Sequence, residues 1–538
     1  MAHTSDPAAH SEHPDAFQAV AGAAGMIGAA TLSSRFLGFI RDIILAKLLG
    51  ATASADAFFV AYRIPNLLRE LLAEGSMSSA FIPIFTEYHT LRTQRETWEL
   101  ASAAFTTLLT IVTAITLLGI VAAPILVWLL APGFHNSPTQ LDLTTVLTQI
   151  MFPYLLFVSL SALAMGILNS VKAFAAPALA PVCFNICIIT AALGLSPWLE
   201  EPVLGVAYGV LLGGCAQFVI QLPGLRKRGF LFRWQFEPWH PGVRRMGQLL
   251  IPSLLGLSVT QVNITISTIL ASFFPGGPTY LFYGMRLIHF PLGIFGVALA
   301  TAILPTLSQQ AARGAVNELR VTVESGLRLI AFIIFPAMTG LILFREPIVH
   351  LCFEHGAFSS QDTAGTAGAV LAYALGLWAF AGIRIIASAF YSLQDTKTPA
   401  IAAGIAMGAN LCLAIVLMRP LEHVGLALAT TLAAVANIGI LLGVLTRRLG
   451  GMDWSSMARS LGRILVALLP IVVTGFWIAN LPVWSREGEW IAKGVMLLVG
   501  IGLSLSGYLG IHALFRSEEF DRCWQLLESR WRRFTPSE

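Results

Sequence analysis

The chain has 538 residues, of which 56% are hydrophobic and only 12% charged, with a formal net charge of +4 at neutral pH. Together with a mean hydropathy of +0.75, these values exclude an ordinary soluble domain, in which about a quarter of the residues carry charge. A helical span needs about 20 apolar residues, and about fourteen such stretches fit between Ala19 and Phe515, so the chain reads as an all-α polytopic membrane protein.

Residues 1–18 are polar, contain His3, His10 and His13, and lack the basic region and short apolar core of a cleavable signal peptide, so they are expected to form a disordered tail. The first span contains Arg35 and Arg41. An ionisable side chain at the bilayer centre costs about 2.5–3.5 kcal/mol on insertion scales, so such residues normally face a wet cavity and meet an opposite charge. Arg35 and Asp42 are seven residues apart and share nearly one helix face, which predicts that they pair while Arg41 points elsewhere.

In the second span Asp56, Arg63 and Glu70 form a ladder of the same spacing. Asn66 and Glu74 extend this polar stripe, and Pro65 interrupts the backbone ladder. That face must line water or protein. Arg69 lies off the stripe and either snorkels to the interface or points into a cavity.

The six cysteines, Cys183, Cys187, Cys215, Cys352, Cys412 and Cys523, lie mostly inside spans without a CxxC pair; they read as small packing residues. Farther on, Arg286 has His289 one turn away, Pro291, Gly293 and Gly296 beyond it, and no carboxylate within a turn. The stretch from Ser517 to Arg533 mixes Phe520, Trp524, Leu526 and Leu527 with basic residues, as an interfacial helix would.

Loop charge sets the orientation. Loops after even-numbered spans carry Arg92 and Arg95, Lys172, Arg226 to Arg245, Arg313 and Arg320, Lys397, and Arg447 to Arg459; the other loops hold only Lys47, Arg345, Arg419 and Arg486. The positive-inside rule therefore puts both termini in the cytoplasm.

The chain also repeats itself at a shift of about 222 residues. Ala80-Phe81-Ile82-Pro83 aligns with Ala302-Ile303-Leu304-Pro305, Asn169 to Ala178 with Tyr391 to Ala400, and Val203-Leu204-Gly205 with His423-Val424-Gly425. Two similar halves of six spans have parallel topology. The expected division is a tail (1–18), an N-lobe (19–225), a C-lobe (226–450) opening with a cytoplasmic linker (226–245), two C-terminal spans (451–516) and a cytoplasmic tail (517–538).

The excess of arginine over acidic partners points to an anionic ligand. A guanidinium fork holds phosphate oxygens in bidentate fashion and stays charged at any working pH. The plainer alternative is that Arg35, Arg63 and Arg286 tie helices together through Asp42, Asp56, Glu70 or carbonyls. No phosphate loop, His-Glu-x-x-His pair or Gly-x-Ser-x-Gly turn occurs, so neither a catalytic residue nor a metal or other cofactor is expected. Intramembrane acid-base work by Asp42, Asp56, Glu70, Glu74 or Glu324 is the main non-transport alternative.

At these residues the chain resembles the lipid II flippases of the MurJ (MviN) family, within the group that includes multidrug exporters and polysaccharide flippases. The resemblance rests on Ser34 to Asp42, Asp56 to Ala61, Pro65 to Arg69 leading to Ala73-Glu74-Gly75, Gly293 to Ala298 with Leu304-Pro305, and Tyr391 to Pro399. It implies two six-helix lobes around a central cavity, a C-terminal helix pair that grooves the lipid tail, and alternating access. The implied substrate is undecaprenyl-diphosphate-linked disaccharide-pentapeptide in the bacterial cytoplasmic membrane, with peptidoglycan-synthesis proteins as partners and no nucleic acid.

By motif, the family's cavity arginines correspond to Arg35, Arg41, Arg69 and Arg286, with Arg63 at a further basic position and Asp42 and Asp56 as gating or pairing residues. Asn66, Glu70, Glu74 and His289 join the gating and pairing set from their positions in the polar stripes. Where some members resemble sodium binders, this chain offers Asn263 and Asn410 without a carboxylate, so no sodium site is expected and membrane potential is the expected driving force. The competing readings are an exporter of drugs or of another polyprenyl-linked glycan, and an intramembrane glycosyltransferase.

Overall fold

The computed structural model describes residues 14–72, 76–485 and 488–521, and among them every regular element is helical. The N-terminal half runs through α1 (Pro14–Leu49), α2 (Ala53–Leu72), α3 (Ser76–Leu91), α4 (Gln94–Leu130), α5 (Pro138–Met151), α6 (Tyr154–Ser170), α7 (Ala175–Gly194), α8 (Pro202–Val219) and α9 (Leu222–Lys227). After an irregular linker come α10 (Pro241–Ala271), α11 (Gly277–Pro291), α12 (Val297–Ala312), α13 (Val316–Leu343), α14 (Arg345–Phe353), α15 (Ser360–Ala374), α16 (Leu377–Ser392) and α17 (Lys397–Arg448). The chain closes with α18 (Trp454–Ala467), α19 (Leu469–Ala479) and α20 (Trp490–Leu514).

Among the described residues nine helical segments are long and apolar enough to cross a membrane, or ten if the bent pair α15 and α16 is one span. Apolarity alone does not reach fourteen. The helices α1 and α2 carry the intramembrane charges Arg35, Arg41, Asp42, Asp56, Arg63, Arg69 and Glu70, and among the described residues of α10 Gln261–Ala271 is a shorter apolar helix. At about 1.5 Å per residue the 52 residues of α17 would measure about 78 Å, more than twice a hydrocarbon core. The backbone breaks at Glu422, whose φ of 49° and ψ of −131° divide this element into two helices.

One of the sequence-matched segment pairs has the same local geometry in both copies. At the end of α6, Lys172 N–H donates to Asn169 O and Ala173 N–H to Leu168 O, with Lys172 left-handed at φ 57°. At the end of α16, Gln394 N–H donates to Tyr391 O and Asp395 N–H to Phe390 O, with Gln394 at φ 58°. Both are the same crossed pair of terminal hydrogen bonds that ends a helix on a left-handed residue. Each is followed by a helix with proline near its start, Pro177 in one case and Pro399 in the other.

Two compact units emerge from the packing. The first comprises residues 1–45, 61–129 and 141–258. Its main core joins Phe81 and Phe85 of α3, Leu100 and Phe105 of α4, and Leu163 and Ile167 of α6. Helices α7 and α8 approach closely because Gly209 faces Ile188 and Ala191, and Gly213 faces Phe184, leaving no room for a larger side chain.

The second unit comprises residues 46–60, 130–140 and 259–538. Its core draws Leu281 and Ile288 from α11, Leu327 and Ile334 from α13, Ala369 and Tyr373 from α15, Ile385 and Phe390 from α16 and Ile438 and Leu441 from α17. A smaller core joins Phe332 to Ile464, Ile471 and Tyr508 of the C-terminal helices, and the Tyr508 hydroxyl donates to Phe332 O at 2.7 Å.

Candidate functional site

In the first unit, α1 carries a buried carboxylate, and the structure gives it a different partner from the one helical spacing predicts. Asp42 is 0% exposed and receives Arg41, whose Nη2 and Nε lie 2.7 and 3.0 Å from Oδ1. The seven-residue rule fixes the direction of Cβ, whereas a long guanidinium stem folds back to the adjacent residue, and a buried anion holds whichever cation reaches it with good geometry. Arg41 Nη1 also donates to Asn185 Oδ1 at 3.1 Å, and Asn185 Nδ2 returns to Ser34 O at 3.1 Å, so α1 and α7 are tied together. Arg35 is exposed and, among the described residues, forms no ion pair. The expected Arg35–Asp42 pairing is therefore replaced by Arg41–Asp42, and Arg35 presents its charge outward.

The polar stripe of α2 splits into two parts with different roles. Asn66, 6% exposed, donates from Nδ2 to Glu70 Oε1 at 2.8 Å and accepts Arg69 Nε at 2.9 Å, while Arg69 Nη2 lies 3.7 Å from Glu70 Oε1. Arg69 therefore turns onto the stripe rather than snorkelling away from it. Arg63, one turn earlier, is half-buried and within electrostatic reach of Glu70. Glu74 lies outside the described residues.

Asp56, at the start of α2, joins the second unit and, among the described residues, contacts no arginine side chain. Its Oδ2 accepts Gly276 N–H at 2.7 Å, and its Oδ1 accepts both Thr279 N–H at 3.2 Å and the Thr279 hydroxyl at 2.6 Å. The buried carboxylate thus caps the N-terminus of α11, where unpaired amides and the positive end of the helix dipole favour an anion. Gly276, at φ 74°, supplies the left-handed turn that aims its own amide there. Stacking of Phe59 on Phe282, with ring centroids 4.2 Å apart, fixes the same contact.

The capped helix carries Arg286 and His289. Arg286 is partly exposed, and His289 is exposed one turn farther along. Arg384, on α16, completes this group: Arg286 and Arg384 are the cations within electrostatic reach of His289. The Arg384 Cδ lies 3.7 Å from where a side chain at Gly296 would begin, an ordinary contact distance, so the arginine stem packs beside the π-helical turn Leu292–Gly296. Sequence reasoning missed Arg384, although it carries the same signal as Arg286, a lone arginine within an apolar helix.

Lys493 of α20 is also buried, at 2% exposure, but is structurally satisfied. Its Nζ donates to His350 Nε2 at 2.9 Å, which leaves the proton of a neutral imidazole on Nδ1, 2.8 Å from Glu354 Oε2. Asn410 Nδ2 donates to Asn263 Oδ1 at 2.7 Å, while the buried Asn410 Oδ1 has no hydrogen-bond partner among the described residues.

A helical membrane fold that places arginines on otherwise apolar spans defines a transporter-like protein. The same fold occurs in an inward-facing multidrug resistance MATE family transporter of the MOP superfamily, with a TM-score of 0.64 and 14% identity, covering 79% of this chain and 96% of that one. A solved structure described as lipid II flippase MurJ in an inward closed conformation matches with a TM-score of 0.75 and 27% identity, covering 91% of this chain and 99% of that one.

The family model described as lipid II flippase MurJ matches residues 45–489. A Vibrio cholerae relative named probable lipid II flippase MurJ is 38% identical over 90% of this chain and 94% of its own length. A Burkholderia cenocepacia lipid II flippase MurJ is 36% identical over 78% of this chain and 82% of its own. The chain belongs to the MurJ lipid II flippase family.

Proposed function

We propose that this protein moves lipid II, the polyprenyl-diphosphate-linked precursor of peptidoglycan, from the inner to the outer leaflet of the bacterial cytoplasmic membrane by alternating access. The observation that carries the reading is 38% identity to a relative of that name over nearly the whole of both chains. Intramembrane arginines supply the matching chemistry, since guanidinium forks suit diphosphate oxygens. In this reading the cations available to the diphosphate and sugar headgroup are Arg35, Arg63 and Arg69 in the first unit and, taken separately, Arg286 and Arg384 in the second. Arg41 positions α1 through Asp42 and Asn185, Asn66 and Glu70 orient Arg69, and Asp56 holds the helix that carries Arg286 and His289. The polyprenyl tail stays in lipid beside the last two spans, and both termini face the cytoplasm.

Membrane potential drives the cycle. With the cell interior negative, moving a diphosphate dianion outward across the whole field gains about 4.6 kcal/mol per 100 mV, twice the value for a single charge. Arginine neutralisation lowers this figure. The same field draws an unloaded, positively charged site back inward. The test is lipid II exposure on the outer leaflet of cells depleted of their own flippase and expressing this chain. Restored exposure that slows when the potential is collapsed at a fixed pH gradient supports the proposal. A stably inserted chain that restores none contradicts it and directs the search to other polyprenyl-linked glycans.

A further inference from the structure

The end of α9 and the linker that follows it carry a second cationic surface, outside the arginines assigned to the headgroup. From Arg226 to His240 the sequence alternates basic and aromatic residues, with Arg226, Lys227, Arg228 and Arg233 opposed by the single acid Glu237. Residues 230–237 form no regular element, yet they are pinned. Phe230 is buried against Trp98 and Phe105, with ring centroids 5.4 and 5.5 Å away, and Gln235 N–H donates to Thr106 Oγ1 at 3.2 Å. Beyond the strap, His240 packs near Tyr88 at 6.1 Å.

Anchoring these residues forces their neighbours outward. Leu231, Trp234 and Trp239 are 67%, 68% and 84% exposed, and the four basic side chains are exposed beside them. A water-facing loop has no physical reason to present two tryptophans so fully. At a membrane surface tryptophan is favoured at headgroup level, while neighbouring Lys and Arg meet anionic phosphates. The strap is also tethered at both ends to membrane-embedded helices, α8 through α9 and α10, so it lies near the bilayer surface.

We propose that residues 226–240 form an interfacial strap that binds the anionic phospholipid surface of the cytoplasmic leaflet, with Trp234 and Trp239 inserted at headgroup level and Arg226, Lys227, Arg228 and Arg233 on lipid phosphates. Charge complementarity selects this occupant. A neutral surface does not use four cations, and an acidic protein partner does not require exposed indoles beside a bilayer. The inference stands independently of which lipid the protein transports.

The test uses the full chain with a photoreactive benzoylphenylalanine in place of Trp234 or Trp239, reconstituted in nanodiscs of phosphatidylcholine with or without phosphatidylglycerol. Illumination and intact-mass analysis identify the captured molecule. The same residue in place of the exposed Leu118 of α4 is the control within a span. The expected result is a lipid adduct at both strap positions, with phosphatidylglycerol captured several-fold above its share of the bilayer, and no such enrichment at Leu118. The combined Arg226→Gln, Lys227→Gln, Arg228→Gln and Arg233→Gln variant should retain its melting temperature and return capture to the bulk proportion. Absence of lipid adducts at the strap, capture at the bulk proportion in the unaltered background, or enrichment that survives the four substitutions overturns the proposal.

Discussion

Asp56→Asn tests how the helix bearing Arg286 is held. The Asp56 carboxylate accepts three hydrogen bonds at the start of α11, from Gly276 N–H, Thr279 N–H and the Thr279 hydroxyl, and is 1% exposed. Asparagine retains one acceptor oxygen. If that oxygen stays on Thr279, the new amide group faces the Gly276 N–H, so a charge-assisted bond is lost and a buried donor is left unsatisfied. A hydrogen bond to a charged group contributes about 1.5–3 kcal/mol, and a stranded buried donor costs about 1–3 kcal/mol, which places the loss at about 3–5 kcal/mol after overlap between the two effects.

Thr279→Val removes only the hydroxyl donor to the carboxylate and should cost about 1.5–3 kcal/mol. Because both changes strike the same contact, the double variant should fall short of additivity by about 1 kcal/mol. Thermal unfolding of the purified protein, followed by intrinsic fluorescence, ranks the four proteins. A double variant with strictly additive losses, or an Asp56→Asn protein that melts with wild type, refutes the assigned cap.

Other substitutions separate fold from transport. Arg41→Ala leaves the Asp42 charge buried and should destabilise by about 3–5 kcal/mol, whereas Arg35→Ala should melt with wild type and still abolish outer-leaflet exposure of lipid II. The contrast fails if the two variants melt alike. Arg384→Ala should lower transport with the fold intact, and Arg384→Lys should recover part of it; full activity of the alanine variant removes Arg384 from the site.

At the loop before α17, Thr398 donors and then Arg448 hold the Asp395 carboxyl below its ordinary range. A depressed folded pKa stabilises above the unfolded value of about 3.9 and loses that contribution as pH falls through the folded value. Melting curves of wild type and Asp395→Asn should therefore differ at pH 6 and draw together as pH falls below the unfolded value of about 3.9. A difference that persists in acid contradicts this assignment.

One of the three matched segment pairs was plain in the sequence, because helix-ending turns are local. The Asn169 to Ala178 and Tyr391 to Ala400 segments contain everything needed to form the same turn, and they do. The pairing of Asp42 was misread because helical spacing fixes which way a side chain leaves the backbone and not where a long guanidinium ends. Asp56 was legible as an intramembrane acid but not as a cap, since its partners are backbone amides 220 and 223 residues away, and amides leave no signature in side-chain identity. Arg384 was available to the reasoning that found Arg286 and was passed over, while the companion basic and aromatic residues of the linker were read only as a charged loop.

The most direct measurement of the central claim is transfer of a fluorescent lipid II analogue in vesicles containing the purified protein, with the analogue accessible to an external quencher only after it crosses. The account predicts transfer by wild type, faster under an imposed potential of the proper sign, and none by a stably folded Arg286→Ala variant. Transfer by that variant at the wild-type rate, or no transfer by wild type while an unrelated polyprenyl-diphosphate glycan crosses, would contradict it.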